Sequence, residues 1–205
     1  MFNHEQLTVY FRGEFVHFSK ATLSICNTGF LYGLGVFSGM RAHYNANTKK
    51  LFVFRIDDHY ERLRFGCKLC NFTNFLNQFD AESFKKMLVE LIRLNNLHED
   101  LYIRVQAFSD ENRITPKFVD YKDSFSAMLY PLGDYIPTTG MRCKTSSWVR
   151  IEDNAIPSRA KYNGAYINSA LAKTEALRDG YDEAIFLDRY GHVVEGSAEN
   201  IFVFV

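Results

Sequence analysis

The chain has 205 residues, of which 47% are hydrophobic, 16% aromatic and 23% charged, the usage of a folded protein with a sizeable core rather than a disordered one. Lys+Arg 24 against Asp+Glu 24 leaves no net field to draw it to nucleic acid or to an anionic membrane surface. No run reaches the roughly 20 apolar residues that span a bilayer, and four scattered cysteines without a secretory leader fit a reducing compartment, so a cytoplasmic protein is expected.

Along the chain, Leu7-Thr8-Val9-Tyr10-Phe11 alternates apolar and polar, Arg12-Gly13-Glu14 turns, and Phe15-Val16-His17 resumes, which predicts a β-hairpin. Leu51-Phe52-Val53-Phe54 predicts another strand. Ile56, Tyr60, Leu63, Cys67 and Cys70 then recur at spacings of three and four, the mark of a helix with one apolar side, and Asp57 or Asp58 supplies negative charge to its first turn. A second helix is predicted from Asp80 or Ala81 to Leu94, with Asp80 as its cap.

The period next changes to two. Leu101, Ile103, Val105 and Ala107 face one side of a strand, and Tyr102, Arg104 and Gln106 face the other. Another apolar strand fits Ser124 to Tyr130. Two prolines and two glycines in the stretch Pro131 to Gly140 make it the linker candidate. Beyond it, Met141 to Val149 reads as extended, a helix is predicted from about Ile167 to Arg178, and Ala184–Leu187 with His192–Val194 around Asp188-Arg189-Tyr190-Gly191 makes a second hairpin. Asn200 to Val205 reads as a strand whose apolar run lacks a polar residue to close its edge, so an incomplete second domain is expected. The fold class expected is α+β, with a small domain over 1–130, a linker over 131–140 and a partial C-terminal domain over 141–205.

Cys67-Lys68-Leu69-Cys70 has the spacing of a redox pair but falls on the apolar side of a helix interior, which favours two core cysteines. The six histidines show no metal-binding spacing with the cysteines, and no glycine-rich phosphate loop occurs, so no metal site is expected. His59 reads as a helix-surface histidine that could also face a phosphate beside Arg62.

The chemistry-bearing string is Ser158-Arg159-Ala160-Lys161-Tyr162-Asn163-Gly164-Ala165-Tyr166-Ile167-Asn168-Ser169. A lysine amine forms Schiff bases with aldehydes when its surroundings favour the unprotonated form, and hydrogen-bonding groups crowd this one. Arg62 offers paired donors to a phosphate, or an ordinary surface pairing with Asp58 four residues earlier. Arg104 can enter a polar cavity without spoiling the core, or sit at the surface of its strand. Glu195 reads alone as a solvent-facing hairpin residue. Tyr32, Phe37 and Tyr102 either wall a pocket or simply pack.

From Ser147 onward the chain resembles the fold-type IV pyridoxal-phosphate enzymes, above all the branched-chain amino-acid aminotransferases. The resemblance is carried by Ser147-Trp148, Asn154, Ile156-Pro157, Ala160-Lys161, Gly164, Tyr166, Gly180-Tyr181-Asp182-Glu183-Ala184, Gly191, Glu195-Gly196 and Glu199-Asn200-Ile201-Phe202. Tyr32-Gly33, Val36-Phe37-Ser38-Gly39-Met40-Arg41, His59-Tyr60-Glu61-Arg62-Leu63 and Tyr102-Ile103-Arg104 extend it over the first half. Ser38, where the family usually carries glutamate, and Val105, where it has proline, depart from the pattern.

The resemblance implies a two-domain fold and pyridoxal 5'-phosphate as cofactor. It implies Lys161 as the Schiff-base lysine and acid/base, Glu195 against the pyridine nitrogen, Tyr166 near the cofactor hydroxyl and Arg62 on the phosphate. Tyr32, Phe37, Tyr102 and Arg104 would line the substrate side, Arg104 taking the side-chain carboxylate of glutamate or 2-oxoglutarate. The reaction implied is transfer of the amino group from a branched-chain L-amino acid to 2-oxoglutarate, so the partners are small amino acids and 2-oxo acids, and a homodimer is expected. D-amino-acid transaminase and aminodeoxychorismate lyase share the fold type and remain alternatives, as does a cofactor-free scaffold or interaction protein.

Overall fold

Alternation in the first residues produces the expected hairpin, β1 (Thr8–Phe11) against β2 (Glu14–His17), with Tyr10 opposite Phe15 and a turn at Arg12-Gly13 in the left-handed region. The computed structural model describes residues 4–133, 136–137 and 139–204. The hairpin sits at one edge of a six-stranded sheet of order β2-β1-β6-β5-β3-β4, built with β3 (Gly35–Asn45), β4 (Lys50–Val53), β5 (Leu101–Ser109) and β6 (Asp123–Pro131), every neighbouring pair antiparallel. The short helix α1 (Thr28–Tyr32) precedes β3. Strand β3 has no alternating pattern because its first four residues are all buried, and a strand covered on both faces carries no period-two signal.

One face of this sheet holds the main core. Tyr60, Leu63 and Cys67 of α2 (Ile56–Leu69), with Cys70 just after it, and Phe84, Met87, Leu88 and Leu91 of α4 (Ala81–Asn95) pack on Met40, Ile103, Val105, Ala127 and Leu129. Asp80 caps α4 as expected: its carboxylate accepts from Ser83 N at 2.7 Å while Ser83 Oγ accepts from Asp80 N at 2.9 Å, satisfying two otherwise orphaned donors. Between these helices lies α3 (Thr73–Gln78), which local pattern does not announce, because its cap is distant in sequence. Asp123 on β6 accepts from Asn74 N at 3.0 Å and from Phe75 N at 3.2 Å. Cys67 and Cys70 are free and fully buried, and burial pushes the Cys70 thiol up to about 12, which makes it unreactive.

The chain divides into two compact units. The first runs to Gly133 and takes back Arg159–Asn163; the second is Asp134–Ser158 with Gly164–Val205. Lys161 thus packs with the first unit, whereas the sequence reading put it in the C-terminal part; Ala160 is drawn into the first unit's core, and the residues after it bond to β3. Of the linker reading over 131–140, Asp134, Tyr135 and Thr138 lie outside the described residues, as does Val205 in the last expected strand.

In the second unit β7 (Cys143–Thr145) runs parallel to β8 (Glu183–Leu187), which pairs antiparallel with β9 (Val193–Gly196). Helix α5 (Tyr166–Arg178) covers the sheet with Ala172 and Ala176 against Ala184 and Phe186. The extended stretch expected over Met141 to Val149 shrinks to three strand residues. The strand expected from Asn200 does not form among the described residues, where Phe202, Val203 and Phe204 are largely exposed with no neighbouring strand. Among the described residues no helix is long and apolar enough to cross a membrane.

Candidate active site

The edge of β3 explains where Lys161 sits. Strand β4 pairs with β3 only from Ala42 to Asn45, so the opposite end of that edge is open to residues 161–163. Phe37 N donates to Lys161 O at 3.1 Å, Asn163 N donates to Gly35 O at 2.9 Å, and Tyr162 bridges Val36. Gly66 on α2 permits the approach, since a Cβ there would lie 3.0 Å from Ala160 O and 3.1 Å from Val36 Cβ. Lys161 has φ 52°, a left-handed conformation that costs a non-glycine residue roughly 1–2 kcal/mol. Such strain persists where surrounding bonds over-determine it, and it gathers at functional positions.

The amine of Lys161 stands 5.2 Å from the centre of the Phe37 ring, and the guanidinium carbon of Arg104 lies 3.6 Å from the same centre. One buried ring therefore carries both cations on the sheet face opposite the main core. Arg104 Nη2 also donates to Asn163 at 3.4 Å, tying the strand to the lysine segment. Gly39 pairs with Arg104 in register and leaves the space over which Tyr102 lies: a Cβ at Gly39 would come within 2.7 Å of the Tyr102 ring carbons. Tyr102 packs in turn on Tyr130, with ring centres 5.4 Å apart.

The other face of β3 presents Ser38, fully buried. Arg62 Nη2 donates to Ser38 Oγ at 2.8 Å and stands 3.2 Å from His59 Nδ1, which itself lies 3.0 Å from Ser38 Oγ. Both neighbours of Nδ1 can donate to it, an arrangement that suits an imidazole carrying its proton on Nε2. Burial first, then the charge of Arg62, with Arg55 and Lys161 adding, holds His59 below its ordinary value, while Asp58 opposes them. The surface pairing of Arg62 with Asp58 is not formed; Asp58 accepts from Arg55 at 2.8 Å, and Arg62 turns inward. His59 is likewise half-buried in this cluster rather than on the helix surface.

In the second unit Glu195 on β9, a half-buried hairpin residue, forms an ion pair with Arg150. Arg150 is fixed by its backbone N–H on Leu187 O at 2.9 Å and lies 5.9 Å from the Phe186 ring. The segment carrying it is clipped by Asn168, which accepts from Ile151 N at 3.2 Å and donates to Val149 O at 3.1 Å. Tyr166, half-buried, is the first residue of α5. The motif pieces around Glu183 and Glu199 lie side by side: buried Glu183 pairs with Lys173 and accepts from Ala184 N at 2.7 Å, while Gly196 N donates to the backbone O of half-buried Glu199 at 2.8 Å. Burial and the neighbouring Glu183 push the Glu199 carboxyl up.

Of the residues singled out from sequence, Phe37, Tyr102, Arg104, Lys161 and Arg62 meet around β3 in the first unit, where Tyr32 ends α1 at the surface. Tyr166 and Glu195 belong to the second unit. Arg150 escaped the reading altogether, since a lone arginine after a tryptophan and a valine carries no periodic or motif signal. Ser38 was visible only as a departure, and its contacts with α2 depend on tertiary packing.

Comparison with known proteins bears on what such a site does. The family model described as amino-transferase class IV matches residues 35–205. A probable branched-chain-amino-acid aminotransferase of Aquifex aeolicus is 44% identical over 195 residues, covering 95% of this chain and 62% of the relative. The crystal structure of a branched-chain aminotransferase from Thermoproteus uzoniensis with norvaline superposes with a TM-score of 0.84 at 36% identity, over 93% of this chain and 63% of that one. A T.th. branched-chain amino acid aminotransferase complexed with N-(5'-phosphopyridoxyl)-L-glutamate gives a TM-score of 0.84 at 31% identity, over 95% of this chain and 63% of that one. The chain thus spans less than two thirds of the length of these relatives.

Proposed function

The chain belongs to the amino-transferase class IV family, and from that premise we propose that it carries out pyridoxal-phosphate-dependent transfer of an amino group from a branched-chain L-amino acid to 2-oxoglutarate. The observation that supports this most is the Phe37 ring, which carries the Lys161 amine and the Arg104 guanidinium together. The solved relatives that hold a phosphopyridoxyl-glutamate adduct and norvaline agree in chemistry with that pairing.

The donor types, each taken within its own unit, suit the chemistry of the cofactor. Arg62 supplies a cation for a phosphate dianion, in surroundings positive enough that they add to burial in holding His59 below its ordinary value. Lys161 supplies the amine for an aldehyde, Glu195 a carboxylate for a ring nitrogen, and Tyr166 a hydroxyl for a phenolic oxygen. When bound, the cofactor supplies an aldehyde that accepts the amino group and a ring that withdraws electrons from the substrate carbon.

Lys161 would hold the cofactor through its amine, and as a free amine it would move a proton at the substrate Cα, so one residue would serve as both anchor and acid/base. Glu195 would favour a protonated ring nitrogen, and Arg150 holds that carboxylate in place. Arg104 binds the distal carboxylate of glutamate or 2-oxoglutarate, while Phe37, Tyr102 and Tyr32 wall the apolar side chain of the other substrate.

A homodimer agrees with the exposed apolar residues Leu23, Ile25, Phe30, Leu31 and Ile114, drawn together by the bridge between Asn27 and Asn112. Side-by-side turnover of L-leucine, D-alanine and aminodeoxychorismate tests the reaction: leucine with 2-oxoglutarate is expected to dominate, and preferred release of pyruvate from aminodeoxychorismate contradicts it.

A further inference from the structure

We propose that Ser38 and His59 are positioning residues for Arg62, fixing its guanidinium so that this chain favours the phosphorylated over the unphosphorylated form of its cofactor. The inference rests on the reading of Arg62 as the phosphate-binding arginine. Arg62 could have paired along its own helix with Asp58, four residues away, but Asp58 is engaged by Arg55 and Arg62 turns toward β3. There Nη2 meets two acceptors, Ser38 Oγ at 2.8 Å and His59 Nδ1 at 3.2 Å. Neither acceptor is charged, so they orient the guanidinium without cancelling its charge.

The three groups come from two elements that cannot slide apart. Ser38 is fully buried in β3, locked in register opposite Val105, and His59 and Arg62 lie one turn apart on α2. Ser38 also follows Phe37, whose N–H holds Lys161 O, so adjacent residues of β3 engage the lysine segment and the arginine. A guanidinium held in one orientation loses little freedom on meeting a phosphate, which is how preorganised donors raise affinity.

The test compares dissociation constants of pyridoxal phosphate and pyridoxal, followed by absorbance on the full-length protein. Ser38→Ala and His59→Gln are expected to weaken pyridoxal phosphate on the order of tenfold, leaving pyridoxal unchanged, as expected for loss of a hydrogen bond to a charged group. His59→Asn, whose amide oxygen can stand in for Nδ1, is expected to stay within about twofold of the parent. A variant that is merely misfolded weakens both vitamers, so equal loss for the two overturns the proposal, as does an unchanged ratio in Ser38→Ala. Arg62→Ala separates the two readings: if it leaves the ratio unchanged, the phosphate reading of Arg62 falls and the proposal with it. If Arg62→Ala abolishes the preference while Ser38→Ala and His59→Gln do not alter it, only the positioning role is wrong.

Discussion

Phe37 holds Lys161 at both ends, its backbone N–H donating to the lysine carbonyl at 3.1 Å and its ring standing 5.2 Å from the lysine amine. The backbone bond keeps the residue in its left-handed conformation, and the ring sets where the amine rests. Phe37→Leu retains the first contact and removes the second. A cation–π contact contributes about 0.5–2 kcal/mol, so kcat/KM for leucine is expected to fall roughly tenfold, with the protein still folded by circular dichroism. Parent-like kinetics would show that the ring only packs.

Gly39→Ala tests the seat of Tyr102. The new methyl would overlap the hydroxyl and lie 2.7 Å from the ring carbons, so the ring must swing aside. Overpacking of this kind costs about 1–3 kcal/mol, and we expect a lower Tm together with a raised KM for the amino acid. A lower Tm with KM unchanged would remove Tyr102 from the substrate wall.

The His59 cluster makes a pH prediction with a definite sign. Burial and the charges of Arg62, Arg55 and Lys161, opposed by Asp58, put its folded value below the ordinary 6.5. The unfolded chain therefore takes up a proton at higher pH than the folded one, so this contribution is fully present above about pH 6.5 and is lost as pH falls through the folded value. His59→Asn is expected to flatten the denaturant midpoint in that window; an unchanged slope would contradict it.

Lys173→Met probes what holds the segments around Glu183 and Glu199 together. Glu183 is almost fully buried, and besides Lys173 it accepts from the N–H groups of Ala184 and Ser197 and lies against the Glu199 carboxyl. Breaking a buried pair costs about 3–5 kcal/mol; Lys173 is one-third exposed, so a discounted loss of about 2 kcal/mol is expected in urea unfolding. The same variant should also loosen the turn after Glu195. A loss under about 0.5 kcal/mol would place the pair among ordinary surface contacts.

What sequence made legible was mostly what periodicity or a local cap encodes. The hairpin from Thr8 to His17, the helix capped by Asp80 and the alternating strand with Arg104 facing away from the core all follow from neighbours within a few residues. Strand β3 was opaque as a strand because both faces are buried, and α3 because its cap, Asp123, is about fifty residues away. The expected final strand fails for want of a paired neighbour, a tertiary condition that composition does not express. In the site, a reactive lysine string was visible, but the contacts of Ser38, His59 and Arg150 arise where separate elements meet. The helical spacing that pointed Arg62 to Asp58 lost to the inward pull of Ser38.

Lys161 as the cofactor-holding lysine is tested most directly by covalent labelling. The purified full-length protein is to be loaded with pyridoxal phosphate, reduced with borohydride, digested and mapped by mass spectrometry. A single phosphopyridoxyl adduct on Lys161, absent from Lys161→Ala, is the expected result; an adduct on another lysine, or no imine absorbance before reduction, contradicts it.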